Sequence, residues 1–161
     1  MRWLVAALVL CTTQAQALSC LKPDVVRTYK EVDASPDRWG AAVGRLDFDE
    51  SRLPEPPQND PNAAPPETPL RAQLVGKTLD RDGFTKPFQG NVTLIVQCYG
   101  PWCAQPKSGR KYLVFLKREP NRHVAFADPC GTRLFADPSR EDLDRVNSCF
   151  RNGPCTEQGL P

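Results

Sequence analysis

The side chains of this sequence with the widest chemical choice are two thiols, Cys98 and Cys103, which bracket a Gly-Pro turn in "CYGPWC". Such a pair, with Trp102 beside it, could carry dithiol redox chemistry, bind a metal or form a disulfide. Redox-active pairs hold about two residues between their thiols at the start of a helix, where the thiolate is stabilised. Here four residues intervene and the flanking segments read as strands. Cys149 and Cys155, in "CFRNGPC", make a second close pair with five residues between them. Paired zinc ligands are usually spaced by about two to four residues, so these spacings weigh against zinc. Each pair flanks a turn able to bring two Cα atoms within disulfide range, below about 7 Å. Disulfides Cys98–Cys103 and Cys149–Cys155 are the favoured reading, which leaves Cys20 for Cys130. Other pairings stay open, because six cysteines combine in many ways.

No catalytic set accompanies them. His123 is the single histidine, on a predicted strand between Arg122 and Val124. HExxH, GxSxG and phosphate-loop patterns are missing from the sequence, so no catalytic residue, metal ligand or cofactor is expected. Asn91-Val92-Thr93 is a formal glycosylation sequon but opens a β-branched strand, and it is read as strand sequence. Trp102, in a turn, is a candidate contact residue. Its alternative is to pack over the neighbouring disulfide.

The start of the chain explains why the cysteines should pair. Met1-Arg2 precedes an apolar run from Trp3 to Cys11, and Ala15-Gln16-Ala17 is a small-x-small site. Together these predict a signal peptide over residues 1–17, too short in its apolar part to span a bilayer. Cys11 leaves with it, and an even count remains, the signature of a disulfide framework in an oxidising compartment. "ALSC" also reads weakly as a lipidation site at Cys20. Ala17 stands where such a site prefers leucine, and lipidation would leave one cysteine unpaired. The protein is therefore expected to be exported, periplasmic or secreted. Its formal charge of +2 falls by one with Arg2, which gives no electrostatic case for nucleic acid. No later run is apolar enough to span a membrane.

The elements that position these groups follow from periodicity. "KPDVVRTYKEVD", 22–33, predicts a short helix with Pro23 suited to its first turn, Asp24 to its positive N-terminal end, and Val25, Val26, Tyr29 and Val32 near one face. "AAVGRLDFD", 41–49, alternates as a half-buried strand. Residues 53–69 hold seven of the 17 prolines and predict an extended, mobile loop rather than a sheet strand. Strands follow at 70–80, 91–98, 111–118 and 122–128, the last two as a hairpin around "EPN". Ser139 is placed to cap a helix carrying Glu141 and Asp142 in its first turn. Five strands with two marginal helices suggest a small barrel or sandwich. The mixed apolar faces of "YLVFL" fit a closed sheet with cover on both sides.

Read in order, these features resemble the netrin-like module of tissue inhibitors of metalloproteinases, especially its short bacterial relatives. A cysteine follows the signal peptide (Ser19-Cys20), and "AAVGRL" ends a strand in glycine and a basic residue. "VTLIVQC" ends in a mid-domain cysteine. "GRKYLVFL" looks like the family's Gly-x-x-Tyr-Leu-Val-Phe strand, and "ADPCGTRLF" supplies a later cysteine. The resemblance implies a mainly β fold, a five-stranded OB-like barrel with short flanking helices, stapled by disulfides, over residues 18–136. A helix and disulfide-closed tail would occupy 137–161. It also implies the Cys20–Cys130 bridge. In the animal inhibitors, the first residue's α-amino group and carbonyl chelate the protease zinc and the second residue enters the specificity pocket. Carried over, those places are Leu18 and Ser19, an inhibitory edge completed by Cys20. Here Leu18 stands where the family has a cysteine, so the bond that fixes that residue is lost. The expected function is a non-enzymatic binding or scaffold module with an unknown protein partner. The alternative is an inhibitor of an extracytoplasmic metalloprotease.

Overall fold

The computed structural model describes residues 18–57 and 59–158. The expected signal peptide, residues 1–17, lies outside the described residues. The first helix, α1 (Val25–Asp33), starts where the Asp24 carboxylate accepts hydrogen bonds from the backbone N–H of Val26 (2.7 Å) and Arg27 (3.4 Å). Asp24 thus stands at the N-terminal end, as expected, and is the cap, while Pro23 lies outside the helix and not in its first turn.

Five strands close into a ring. They are β1 (Trp39–Phe48), β2 (Glu67–Asp80), β3 (Gly83–Tyr99), β5 (Arg110–Glu119) and β6 (Arg122–Ala127). β1 pairs antiparallel with β2, β2 with β3, and β6 with β5, and β5 returns to β1. β3 and β6 form the one parallel contact of the ring, Val92↔His123 to Val96↔Ala127. Two short strands absent from the sequence expectations complete it. β4 (Trp102–Cys103) folds back on the end of β3, and β7 (Leu134–Ala136) pairs with β5 over Tyr112–Val114, on residues outside the β5–β6 register. The second helix, α2 (Arg140–Phe150), is capped by Ser139 as the sequence suggests, and Ser139 and Asp142 form a reciprocal capping box.

Each alternate residue of β5 goes to a different core. Tyr112, Val114 and Leu116 fill the ring with Leu46, Leu74, Leu94 and Val96. Leu113 and Phe115 pack outward with Val25, Val26 and Val32 of α1 and Val146 of α2. That is why "YLVFL" is apolar without alternation: both faces of the strand are covered. The Tyr112 hydroxyl, inside the ring, accepts from the Lys107 N–H (2.7 Å) and donates to the Lys107 carbonyl (3.0 Å), so the buried phenol is satisfied. β1 behaves likewise, with Ala42 and Leu46 inward and Ala41 beneath the helices.

The proline-rich segment corrects the expectation at its carboxyl end. β2 already starts at Glu67 and includes Pro69, paired with Ile95 of β3. Proline is tolerated there because the β1–β2 register stops at Phe48↔Ala72, leaving that part of β2 bonded on one side only. Pro87 is accommodated in the same way: β3 is paired with β2 there, and β6 joins only from Val92. Strand β3 thus begins eight residues before the expected start at Asn91. The loop itself carries two single 3-10 turns, Glu50–Arg52 and Pro61–Ala63, and buries Pro54 and Ala64.

Closure requires two glycines. Gly44 and Gly76 face each other in the β1–β2 register. A Cβ on Gly44 would stand 2.8 Å from the Gly76 Cα, and one on Gly76 would stand 2.5 Å from the Gly44 Cα. Both obstacles are backbone, so the strands themselves would have to move. Gly76→Ala is expected to lower unfolding free energy by about 1–3 kcal/mol in urea titrations. Gly90→Ala, which meets only the Phe88 ring edge at 3.3 Å, should cost less. Equal stability of Gly76→Ala and wild type would contradict this account of the ring.

Candidate functional site

Because β3 and β6 run parallel, their carboxyl ends lie at the same end of the ring. Beyond β3 the chain turns through Tyr99-Gly100-Pro101-Trp102, with Gly100 at φ +59°, a conformation suited to glycine. Cys98 and Cys103 are directly opposite in the β3–β4 register and are bonded, with Cα atoms 3.9 Å apart. Trp102 and Tyr99, paired across this turn, are 37% and 43% exposed. The Trp102 ring borders Gly100, where a Cβ would come within 3.9 Å of it, and Asn62 of the proline-rich loop reaches the same glycine with its Oδ1 3.1 Å from that Cβ position.

Beyond β6 comes Asp128-Pro129-Cys130-Gly131. The buried Asp128 carboxylate accepts from the N–H of Cys130 (2.8 Å) and from the N–H (2.9 Å) and hydroxyl (2.8 Å) of Thr132. Gly131, at φ +66°, donates its N–H to the Asp128 carbonyl (3.0 Å). Local hydrogen bonding therefore shapes this loop and presents Cys130 to Cys20, their Cα atoms 5.4 Å apart and their sulfurs bonded. From α1, Thr28 donates its hydroxyl to the Thr132 carbonyl (2.5 Å), which ties the helix to the same loop.

The bond brings the N-terminal segment to this end of the ring. Leu18 is half-buried, Ser19 and Cys20 are exposed, and Leu21 is 60% exposed. A depression of about 330 Å³ lies between the two disulfide-bearing loops, lined by Cys103, Ala104, Pro106, Ala127, Asp128 and Pro129 among others. Burial first, and the negative Asp128 next, push the Tyr99 phenol above its ordinary pKa, against an opposing pull from Arg133. The residues singled out in the sequence, Leu18, Ser19, Cys20 and Trp102, thus sit on loops tied at one end of the ring. Tyr99, Leu21 and the Asp128 loop were not singled out. The "DPCG" turn signal was available for the last of these.

Elsewhere, His123 lies in a depression of about 1120 Å³, with Arg71, Asn91, Glu119 and Arg122 among its lining. Its ring meets Phe88 edge-on at 5.5 Å, and Glu119 is held by Arg122 at 2.6 Å. Among the described residues no cluster of three or more His, Cys, Asp or Glu side chains is placed to hold a metal. No helix of the described residues is long and apolar enough to cross a membrane. The third disulfide, Cys149–Cys155, closes the tail after α2. No family model, curated protein or solved structure matches the chain.

Asp24 roots the site from below. Besides capping α1, its carboxylate accepts from Arg145 of α2 (3.3 Å) and from the N–H of Gln158 (2.5 Å). Burial pushes its pKa up, but the hydrogen bonds from Gln158, Val26 and Arg27, with Arg145, outweigh burial and hold it below the ordinary carboxylate value. A folded-state pKa below the unfolded one stabilises the fold above the unfolded pKa of about 4, and that contribution is lost as pH falls through the folded value. In denaturant titrations at several pH values, Asp24→Asn should be less stable near neutrality by about 1–3 kcal/mol. It should also lose stability less steeply below about pH 4. Parallel pH profiles for the two proteins would contradict this role.

Proposed function

We propose that the chain is an exported, non-enzymatic binding module of the netrin-like, TIMP-like type. In this reading its ring is an OB-like barrel, and a protein partner is taken along the edge formed by Leu18–Cys20 and the Tyr99–Trp102 turn. One observation carries the reading: disulfides fix the N-terminal segment and an exposed aromatic turn at the same end of the ring. Tryptophan and tyrosine are favoured anchors in protein interfaces, and loops ordered before binding lose less freedom on association. The strand order β1-β2-β3-β6-β5, returning to β1 with one parallel pair, supports the OB-like assignment. Three disulfides suit an oxidising compartment, in keeping with the signal peptide expected from sequence.

The second reading is inhibition of a metalloendopeptidase, with zinc chelated by the α-amino group and carbonyl of Leu18. It is favoured by the Cys20–Cys130 bond, which tethers the chain two residues from those atoms. The chelating atoms belong to the backbone, so leucine can supply them. The cost is an unfixed first residue that must be ordered on binding.

Two measurements separate the readings. Pull-down from extracytoplasmic extract should retain a partner on wild-type bait and on Val75→Ala, an exposed site elsewhere, and lose it on Trp102→Ala and Tyr99→Ala. Equal recovery on all four baits would remove the edge from the account. Protein beginning at Leu18 should inhibit a zinc endopeptidase, and protein extended by one alanine should not. Identical behaviour of the two forms would overturn the inhibitor reading and leave the binding module standing.

A further inference from the structure

A cleft of about 410 Å³ opens on the outer face of β1 and β5, beside α1 and the carboxyl end of α2. It shares no lining residue with the depression between the disulfide-bearing loops. Its wall is apolar and largely aromatic: Phe115 and Val32 are buried, Tyr29, Trp39 and Leu79 are half-buried, and Phe150 stands 40% exposed. Its charged residues are Asp33, Asp37 and Arg118. Asp37 is engaged by Lys117 at 2.7 Å. Among the described residues, neither Arg118 nor Asp33 has an ion-pair partner.

One detail marks this as more than loose packing. The Arg118 guanidinium lies against Gly40, where a Cβ would come within 2.9 Å of Nη2, 3.1 Å of Nε and 3.4 Å of Cζ. Gly40 is not among the positive-φ glycines, so what it provides is room for the guanidinium.

We propose that this cleft binds a free aromatic amino acid. The uncommitted charges are one cation and one anion, so a zwitterion matches them while a single-charge ligand leaves one unmet. The ring packs against Tyr29, Trp39, Phe115 and Phe150, where aromatic pairs gain beyond simple area burial. The carboxylate meets Arg118, and the ammonium meets Asp33. The volume lies in the range of small-molecule sites and is far too small for a folded partner.

Calorimetric titration with L-phenylalanine tests this on the intact protein. Saturable binding is expected, weakened at least about tenfold by Arg118→Gln and by Asp33→Asn. Gly40→Ala should weaken it as well, by displacing the guanidinium. Phenylacetate, lacking the ammonium, and phenethylamine, lacking the carboxylate, should each bind more weakly than phenylalanine, and glycine should give no signal. Absence of saturable binding by phenylalanine, as for a cleft that holds only water, would overturn the proposal. So would an analogue that binds as tightly as phenylalanine, or full affinity in both charge variants.

Discussion

The Cys20–Cys130 disulfide is the constraint on which the candidate site depends. It joins the segment ahead of α1 to the loop after β6, across 110 residues of sequence. In the chain-entropy model a closed loop of that size stabilises the fold by about 4–5 kcal/mol. Leu18 to Lys22 have no regular secondary structure, so this bond is the crosslink that holds them to the ring. With it, the start of α1 is brought to the Asp128 loop, and the Thr28 hydroxyl completes the tie. Asp24 extends the chain of contacts to α2 and the tail.

The ring gives that bond a rigid base. β1 is hydrogen-bonded on both sides, to β2 and to β5, and β5 is buried on both faces. A sheet that closes on itself leaves little freedom for its strands to slide, because each register is set by neighbours on either side. Gly44 and Gly76 show how tight the closure is, since neither position has room for a methyl group. The parallel β3–β6 pair then decides the geography: it sends two loops, each with its own disulfide, out of the same end.

Much of this was legible in the sequence, and the rest failed for identifiable reasons. Apolar runs and β-branched residues located five strands, and Ser139 announced α2 through a local capping pattern. Close cysteine pairs around Gly-Pro turns gave two disulfides, because the turn supplies the geometry. Pro69 and Pro87 concealed strand residues, since nothing local says that a strand is bonded on one side only. β4 and β7 are two and three residues long, too short for a periodic signal. Pro23 was expected in the first turn of α1 but lies before the cap, because the cap is settled by where the Asp24 carboxylate folds back. The contacts of Asp24 with Gln158, and of Arg118 with Gly40, join distant parts of the chain and leave no mark on either segment. Exposure of Tyr99 and Leu21 likewise depends on how the loops assemble.

The ring thus serves as a frame that holds two disulfide-bearing loops and the N-terminal segment at one end. Everything at that end depends on the covalent attachment of Cys20 to Cys130. Mass mapping of the protein, digested without reduction, tests this directly. The expected result is an unmodified Cys20 peptide crosslinked to the Cys130 peptide, alongside the 98–103 and 149–155 bridges. A lipid-bearing Cys20, a free thiol at Cys20 or Cys130, or either of them joined to another cysteine would contradict the account.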